Sequence, residues 1–391
     1  MIWALSALLP KRDTAAVHTW PSFDDTARVL VPELSKSRLK RVFYLTASSA
    51  VAGHAPAWGP NVTVLPKRSL RGAWAFLTSR YIFTTHQCYT SRFPHNVVSV
   101  SLWHGMPIKR LGWMSGKAVN LPHAKIELAT SEFWLSMVRQ CMRPWGEVLV
   151  NGLPRTDRFA ARGREGVCRQ LGGEAMTCRK LAVWLPTYRR TVRGDPEADG
   201  TEFLNEAQMP GFDADGFNAW LAERNMVCVI KPHPLGPRPR LRTTGHLRIM
   251  DDAALGACGL TLYELLGGSD VLLTDVSSVY VDYLLLNRPV IHTFADRAEY
   301  EAGRGFTFDW TENFLAGPMV EDMAGVGQAL EALGTGRDSH AANRARLKKL
   351  FHADAELPAT PALLGKLGLG PVPPSTPLMR PGNPHPGVPQ A

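Results

Sequence analysis

Residues 274–294 read TDVSSVYVDYLLLNRPVIHTF. The stretch holds a strand end, a tight turn, a helix, a stop and a second strand. Ser277 and Ser278 stand where a helix N-cap belongs. Asn287-Arg288-Pro289 ends the helix, since proline cannot continue one. The flanking apolar runs do not alternate, which is how strands covered on both faces of a parallel sheet read. Strand, helix and strand in this order predict a βαβ unit.

The same rhythm extends along the chain. Apolar runs at 42–45, 62–65, 81–85, 97–103 and 148–150 form one set of predicted strands. Runs at 181–185, 227–230, 247–250, 271–273 and 290–293 form a second. Between the sets, ARGREGVCRQLGGEAMTCRK at 161–180 is polar and basic and suits a junction. The predicted fold is α/β, with two Rossmann-like doubly wound domains facing a cleft, at 1–165 and 176–367. A length of 391 residues suits two domains at roughly 100–200 residues each. From Gly368 the chain is dense in proline and glycine, predicting a disordered tail over 368–391.

Composition narrows the classes. The chain is 45% hydrophobic and 20% charged, as a globular protein is. A net charge of +9 suits an anionic partner. No basic tract with interleaved aromatics marks a nucleic-acid binder, so no nucleic-acid partner is expected. The six cysteines fit no zinc spacing and read as scattered thiols. The apolar start, MIWALSALLPKR, is too short to span a bilayer and lacks a basic n-region. It is predicted to be a first core element, with shallow membrane contact as the alternative.

In open α/β sheets ligands bind beyond the carboxyl ends of the strands, and polar groups gather there. The run 97–103 leads into His104-Gly105-Met106-Pro107-Ile108-Lys109. The run 148–150 leads into NGLPR, ending at Arg155, which could clamp a phosphate bidentately or lie idle on the surface. Pro186-Thr187 follows 181–185, and Lys231-Pro232-His233-Pro234 follows 227–230, the prolines stiffening the segment. Ser277 and Ser278 offer hydroxyls and a helix N-terminus to an anion, or act only as a cap. Asp282, one turn on, could accept hydrogen bonds from sugar or glycerol hydroxyls, or be a solvated helix residue. His104 is suited to taking a proton near neutral pH, since an unperturbed imidazole has a pKa of about 6.5, or it is a structural histidine. His86 and Arg304 are weaker candidates.

Taken in order, LWHGMPIKRLG, NGLPRTD, LPTYR, KPHP and TDVSSVYVDYLLLNRPVI resemble the CDP-glycerol glycerophosphotransferase family of teichoic-acid and capsule enzymes. The resemblance runs from about Tyr81 to Glu321 and implies a GT-B-like fold with the nucleotide mainly on the second domain. It implies transfer of glycerol phosphate, or ribitol phosphate, from a CDP-alditol to a hydroxyl of a lipid-linked saccharide or growing polymer, with release of CMP. Carried over, His104 is the catalytic histidine, with Gly105, Met106, Pro107 and Ile108 lining its loop. Arg155, Pro186, Thr187, Lys231, Pro232 and His233 are donor-site positions, His233 also catalytic, and Ser277, Ser278 and Asp282 complete the donor contacts. Val276 and Tyr188 depart from the aromatic and tryptophan common in the family.

No carboxylate pair has metal spacing, so neither metal nor cofactor is expected. The family acceptors imply a cytoplasmic enzyme held peripherally on the anionic inner face of the cell membrane. The alternative reading is a GT-B glycosyltransferase using a nucleotide sugar, distinguished by release of UDP or GDP instead of CMP.

Overall fold

The computed structural model describes residues 2–48, 55–103, 105–115, 121, 123–189, 200–233, 245–353 and 355–370. His104 and residues 371–391 of the predicted tail lie outside them.

Two parallel sheets organise the chain. The first holds β1 (Arg12–His18), β2 (Arg41–Thr46), β3 (Val62–Pro66), β4 (Ser79–Thr84), β5 (Val98–Ser101), β6 (Ile126–Ala129) and β7 (Glu147–Val150). Their order is β3-β2-β1-β4-β5-β6-β7. The second holds β8 (Lys180–Leu185), β9 (Met226–Ile230), β10 (Leu247–Ile249), β11 (Val271–Thr274), β12 (Val290–Thr293) and β13 (Met319–Val320), ordered β10-β9-β8-β11-β12-β13. Each is a doubly wound, Rossmann-like order, reversing once, between β1 and β4 and between β8 and β11. The fold is α/β and GT-B-like, as the strand pattern and the resemblance together predict.

All ten predicted strands form, and three more join them. β1, RDTAAVH, is central to its sheet yet carries small and charged residues, so its burial comes from neighbours on both sides. β6 contains Glu127, which interrupts the apolar run. Burial pushes that carboxyl well above the ordinary carboxylate range, with the Ser101 hydroxyl opposing the shift. β13 spans two residues, too few for a periodic signal.

Packing corrects two readings of the ends. The helix Ile2–Leu8 is not a core element: only Ser6 is buried, while Trp3, Leu5 and Leu8 are 46%, 44% and 83% exposed. A helix of two turns against one neighbour has no second layer to cover its apolar residues. The predicted tail also begins too early. Leu369 is fully buried, and the Gly368 carbonyl accepts from Arg38 Nε at 3.2 Å.

The junction 161–180 folds as well, with the helix Gly163–Leu171 burying Val167, Cys168 and Leu171. Beyond β13, helices Ala341–Phe351 and Ala359–Lys366 return to the first sheet. Thr130 and Ser131 donate to the Phe351 and Leu350 carbonyls at 2.6 and 2.7 Å. Asp157 caps the last helix, accepting from the Ala359 and Thr360 N–H groups at 2.7 and 2.9 Å. Phe133 and Trp134 meet Phe308 and Phe351, with ring centroids 4.8–5.8 Å apart. Of these, Trp134 and Phe351 are fully buried, worth about 1.5–3 kcal/mol each, and the two sheets share one apolar core.

Candidate functional site

The loop after β5 and the turn after β11 touch. Gly105 has φ +147°, a conformation that favours glycine, and a Cβ there would lie 2.6 Å from Ser278 Oγ and 2.9 Å from Arg155 Nη2. Gly105→Ala is therefore expected to force this contact apart. Its checkable result is loss of activity with a thermal midpoint lowered by a few degrees at most, because the position lies in a loop.

Arg155 and Asp282 form a buried strut beneath that contact. Arg155 Nε and Nη2 donate to Asp282 Oδ2 at 2.9 and 2.7 Å. Arg155 Nε also donates to the Tyr263 hydroxyl at 2.5 Å, and Nη1 to the Trp103 carbonyl at 3.2 Å. The Tyr263 hydroxyl itself donates to Asp282 Oδ2. The side chains of Arg155 and Asp282 are 8% and 0% exposed. Sequence left each as a ligand contact or a surface group; here they neutralise one another across the two domains. Asp282 Oδ1 is buried without a hydrogen bond among the described residues.

The opposite side of the loop is pinned to the second domain too. Thr307 donates to the Pro107 carbonyl through its hydroxyl and to the Ile108 carbonyl through its N–H, the latter at 2.9 Å. Arg304, a weak ligand candidate from sequence, donates to the Arg110 carbonyl at 2.9 Å and so helps fasten the loop. Met106 and Ile108 are 3% and 1% exposed, so their side chains pack beneath the loop.

The other candidates surround the switch point of the second sheet. Ser278 is the N-cap of the five-residue helix Val279–Tyr283 but makes no side-chain cap bond, and Ser277 Oγ accepts from the Val279 N–H at 3.4 Å. Both serines are half-buried. Pro186 is buried, and Thr187 donates its hydroxyl to Asp275 Oδ2 at 2.7 Å while accepting from Arg189 Nη1 at 2.6 Å. Arg189 also holds Asp275 at 2.8 Å and grips Asp296 with Nε and Nη2 at 2.5 and 2.6 Å. Thr187 is thus part of a buried ionic network rather than an open donor.

Lys231, with a side chain 5% exposed, pairs with Asp252 at 2.8 Å. Pro232 and His233 are half-buried, and the His233 ring lies 4.5 Å from that of Tyr188. Burial, then the charges of Lys109 and Lys231, lower the His233 pKa to about 3. At neutral pH it is an uncharged hydrogen-bonding group. His86, at the end of β4, packs between Trp20 and Trp103 with ring centroids 5.0 and 5.5 Å away.

Three contributors were not singled out as site residues in sequence. The Lys109 charge acts on His233 from the first domain, and only the apposition of the sheets reveals that. Arg189 and Asp296 were hidden in PTYRR and TFADR, where neither residue type nor spacing sets them apart. Among the described residues no three His, Cys, Asp or Glu side chains cluster as a metal site.

The whole arrangement places hydroxyls, a cation and a neutral imidazole at the carboxyl edge of the second sheet, under a loop from the first. Residues 5–355 match the model for CDP-glycerol:poly(glycerophosphate) glycerophosphotransferases, and the chain belongs to that family. It is similar to a teichoic acid ribitol-phosphate primase of Bacillus spizizenii, 26% identical over 190 residues, 48% of this chain and 44% of the relative. A teichoic acid poly(glycerol phosphate) polymerase of the same organism is 21% identical, covering 84% of this chain and 86% of its own. Another, from Staphylococcus epidermidis, is 25% identical over 61% of this chain and 34% of its own. The chain thus spans less than half of several curated relatives it matches. In fold it is similar to the wall teichoic acid polymerase TagF, with TM-score 0.69, 18% identity, and 94% and 91% of the two chains covered.

Proposed function

We propose that this member of the glycerophosphotransferase family transfers an alditol phosphate from a CDP-alditol to an acceptor hydroxyl and releases CMP. The observation that carries the reading is the contact of Gly105 with Ser278, which joins the WHG loop to the switch point of the second sheet. An acceptor oxygen arriving from the first domain would meet a diphosphate seated on the second. The oxygen forms a bond to the phosphorus bearing the alditol, and the bond from that phosphorus to the CMP oxygen breaks. His104 would take the hydroxyl proton, and CMP leaves with the electron pair. Lys231, Lys109, neutral His233 and the serines would hold the charge on the diphosphate. Arg155 and Asp282 act through position, by holding the loop against the turn.

The family name supports glycerol as the alditol, while the primase relative keeps ribitol as the second donor to test. CMP release from CDP-glycerol and from CDP-ribitol, each with a lipid-linked or polyol-phosphate acceptor, tests the reading. Acceptor-dependent CMP supports it; UDP or GDP release from a nucleotide sugar, with none from either CDP-alditol, would replace it with the glycosyltransferase reading. Lys231→Ala should raise the donor KM about tenfold, the loss expected for one charge-assisted contact, with the acceptor KM little changed.

The acceptor is proposed to be lipid-linked, with the enzyme resting on the anionic inner face of the membrane. What supports this is an apolar and basic surface away from the site. Leu70 and Trp74, 91% and 50% exposed, stand on a helix packed beside the one that carries the exposed Trp3, Leu5 and Leu8. Leu70 and Trp74 line an open groove of about 1300 Å³ that includes Lys11, Arg12, Lys40, Arg41 and Arg71 against one acid, Asp13. No helix among the described residues is long and apolar enough to cross a membrane. Vesicles rich in anionic lipid should bind the protein, and the double substitution Leu8→Ser/Trp74→Ser should weaken binding at least tenfold. Equal binding to neutral vesicles would contradict the electrostatic part.

A further inference from the structure

The first sheet has a switch point of its own, between β1 and β4, and the donor reading does not use it. Its two loops are tied together. The Thr85 N–H donates to the His18 carbonyl at 3.1 Å, and the Trp20 N–H to Thr85 Oγ1 at 2.9 Å. These bonds hold the two loops side by side at the carboxyl edge, where such sheets place a crevice.

Lys67, just past β3, reaches into it. Its Nζ lies 3.2 Å from His18 Nε2 and 3.5 Å from the Gln87 carbonyl. His18 Nδ1 faces the Leu45 carbonyl at 2.9 Å. A carbonyl can only accept, so Nδ1 carries the hydrogen and Nε2 offers its lone pair to the ammonium. Burial, with the Lys67 charge adding to it, lowers the His18 pKa to about 4, so the ring stays neutral at physiological pH. Among the described residues no carboxylate pairs with Lys67; two neutral acceptors hold it. That fixes a cation in place with no compensating carboxylate among the described residues, an arrangement suited to an anion.

An aromatic row begins beside it. Trp20, His86 and Trp103 follow one another at 5.0 and 5.5 Å between ring centroids, all half-buried. Trp103 directly precedes His104-Gly105. The row therefore leads from the Lys67 crevice to the loop that touches Ser278. Indole faces suit the C–H surfaces of sugars and polyols.

We infer that this crevice is the acceptor subsite, taking a phosphate ester of a sugar or polyol with its phosphate on Lys67 and its carbon skeleton along Trp20, His86 and Trp103. The inference rests on the transferase reading and specifies where its second substrate sits.

Two water-soluble glycosides test it, alike except that one ends in glycerol phosphate and the other lacks the phosphate. The full-length enzyme, with saturating CDP-glycerol, should favour the phosphorylated glycoside by at least tenfold in kcat/KM. Lys67→Gln should erase most of that preference, and Lys67→Arg should keep it. No preference in the wild-type enzyme, or a preference untouched in Lys67→Gln, overturns the subsite. The same glycosides are also titrated directly without donor, so the result for the crevice does not depend on turnover. Absence of CMP release from every CDP-alditol, beside phosphate-selective binding lost in Lys67→Gln, would overturn the transferase reading and leave the crevice as an anion site.

Discussion

Asp282→Ala should lower the unfolding free energy by about 3–5 kcal/mol, the loss typical when one partner of a buried ion pair is removed. Asp282 is fully buried and accepts three hydrogen bonds on one oxygen, two from Arg155 and one from Tyr263. Deleting the carboxylate leaves the Arg155 guanidinium enclosed with no counter-ion. A surface helix carboxylate would lose almost nothing on the same change, so the experiment separates the two descriptions sharply. Urea unfolding followed by both fluorescence and circular dichroism gives the number, provided the two transitions coincide. The double substitution Arg155→Met/Asp282→Leu should cost less than the two single alanine changes added together, because it removes both charges at once. A loss under about 1 kcal/mol for Asp282→Ala would contradict a buried strut.

The second large effect falls on turnover. His104→Ala should lower kcat about 10²–10⁴-fold, the usual contribution of a general base, while thermal unfolding stays near that of the unaltered protein. A base must be unprotonated to act, so activity should fall on acidification in the unaltered enzyme. That acid limb should vanish in the variant. His233 is held neutral far below this range, with a pKa of about 3, so His233→Asn should leave the acid limb where it was. An acid limb that persists in His104→Ala and disappears in His233→Asn would exchange the two roles.

The comparison of sequence with structure turns on particular residues. Apolar runs without alternation sufficed for ten strands, because strands covered on both faces must be apolar along their length. β1 escaped for the converse reason: Ala15 and Ala16 are small enough to be covered by any neighbour, and their residue types carry no strand signal. With β1 went His18, and so the crevice that Lys67 enters. The N-terminal apolar run was read for what it contains, but exposure depends on what lies opposite, and nothing covers Leu8.

The candidate site divides in the same way. The motifs placed Gly105, Ser277, Ser278, Lys231 and His233 at strand ends, because a βαβ chain puts its loops there. Whether a given charge in those loops meets ligand or another charge depends on pairing over long sequence separations. Arg155 and Asp282 are 127 positions apart and bond directly, and no local pattern records that. The sequence by itself determined the two parallel sheets, the edge on which chemistry collects and the family, since these follow from periodicity and local motifs. Only the tertiary structure decided that Arg155, Thr187 and Asp282 bond to partners within the protein, that the Lys109 charge acts on His233, and that neutral acceptors hold Lys67 among the described residues. Those outcomes depend on which side chains the folded sheets bring within hydrogen-bonding reach of one another.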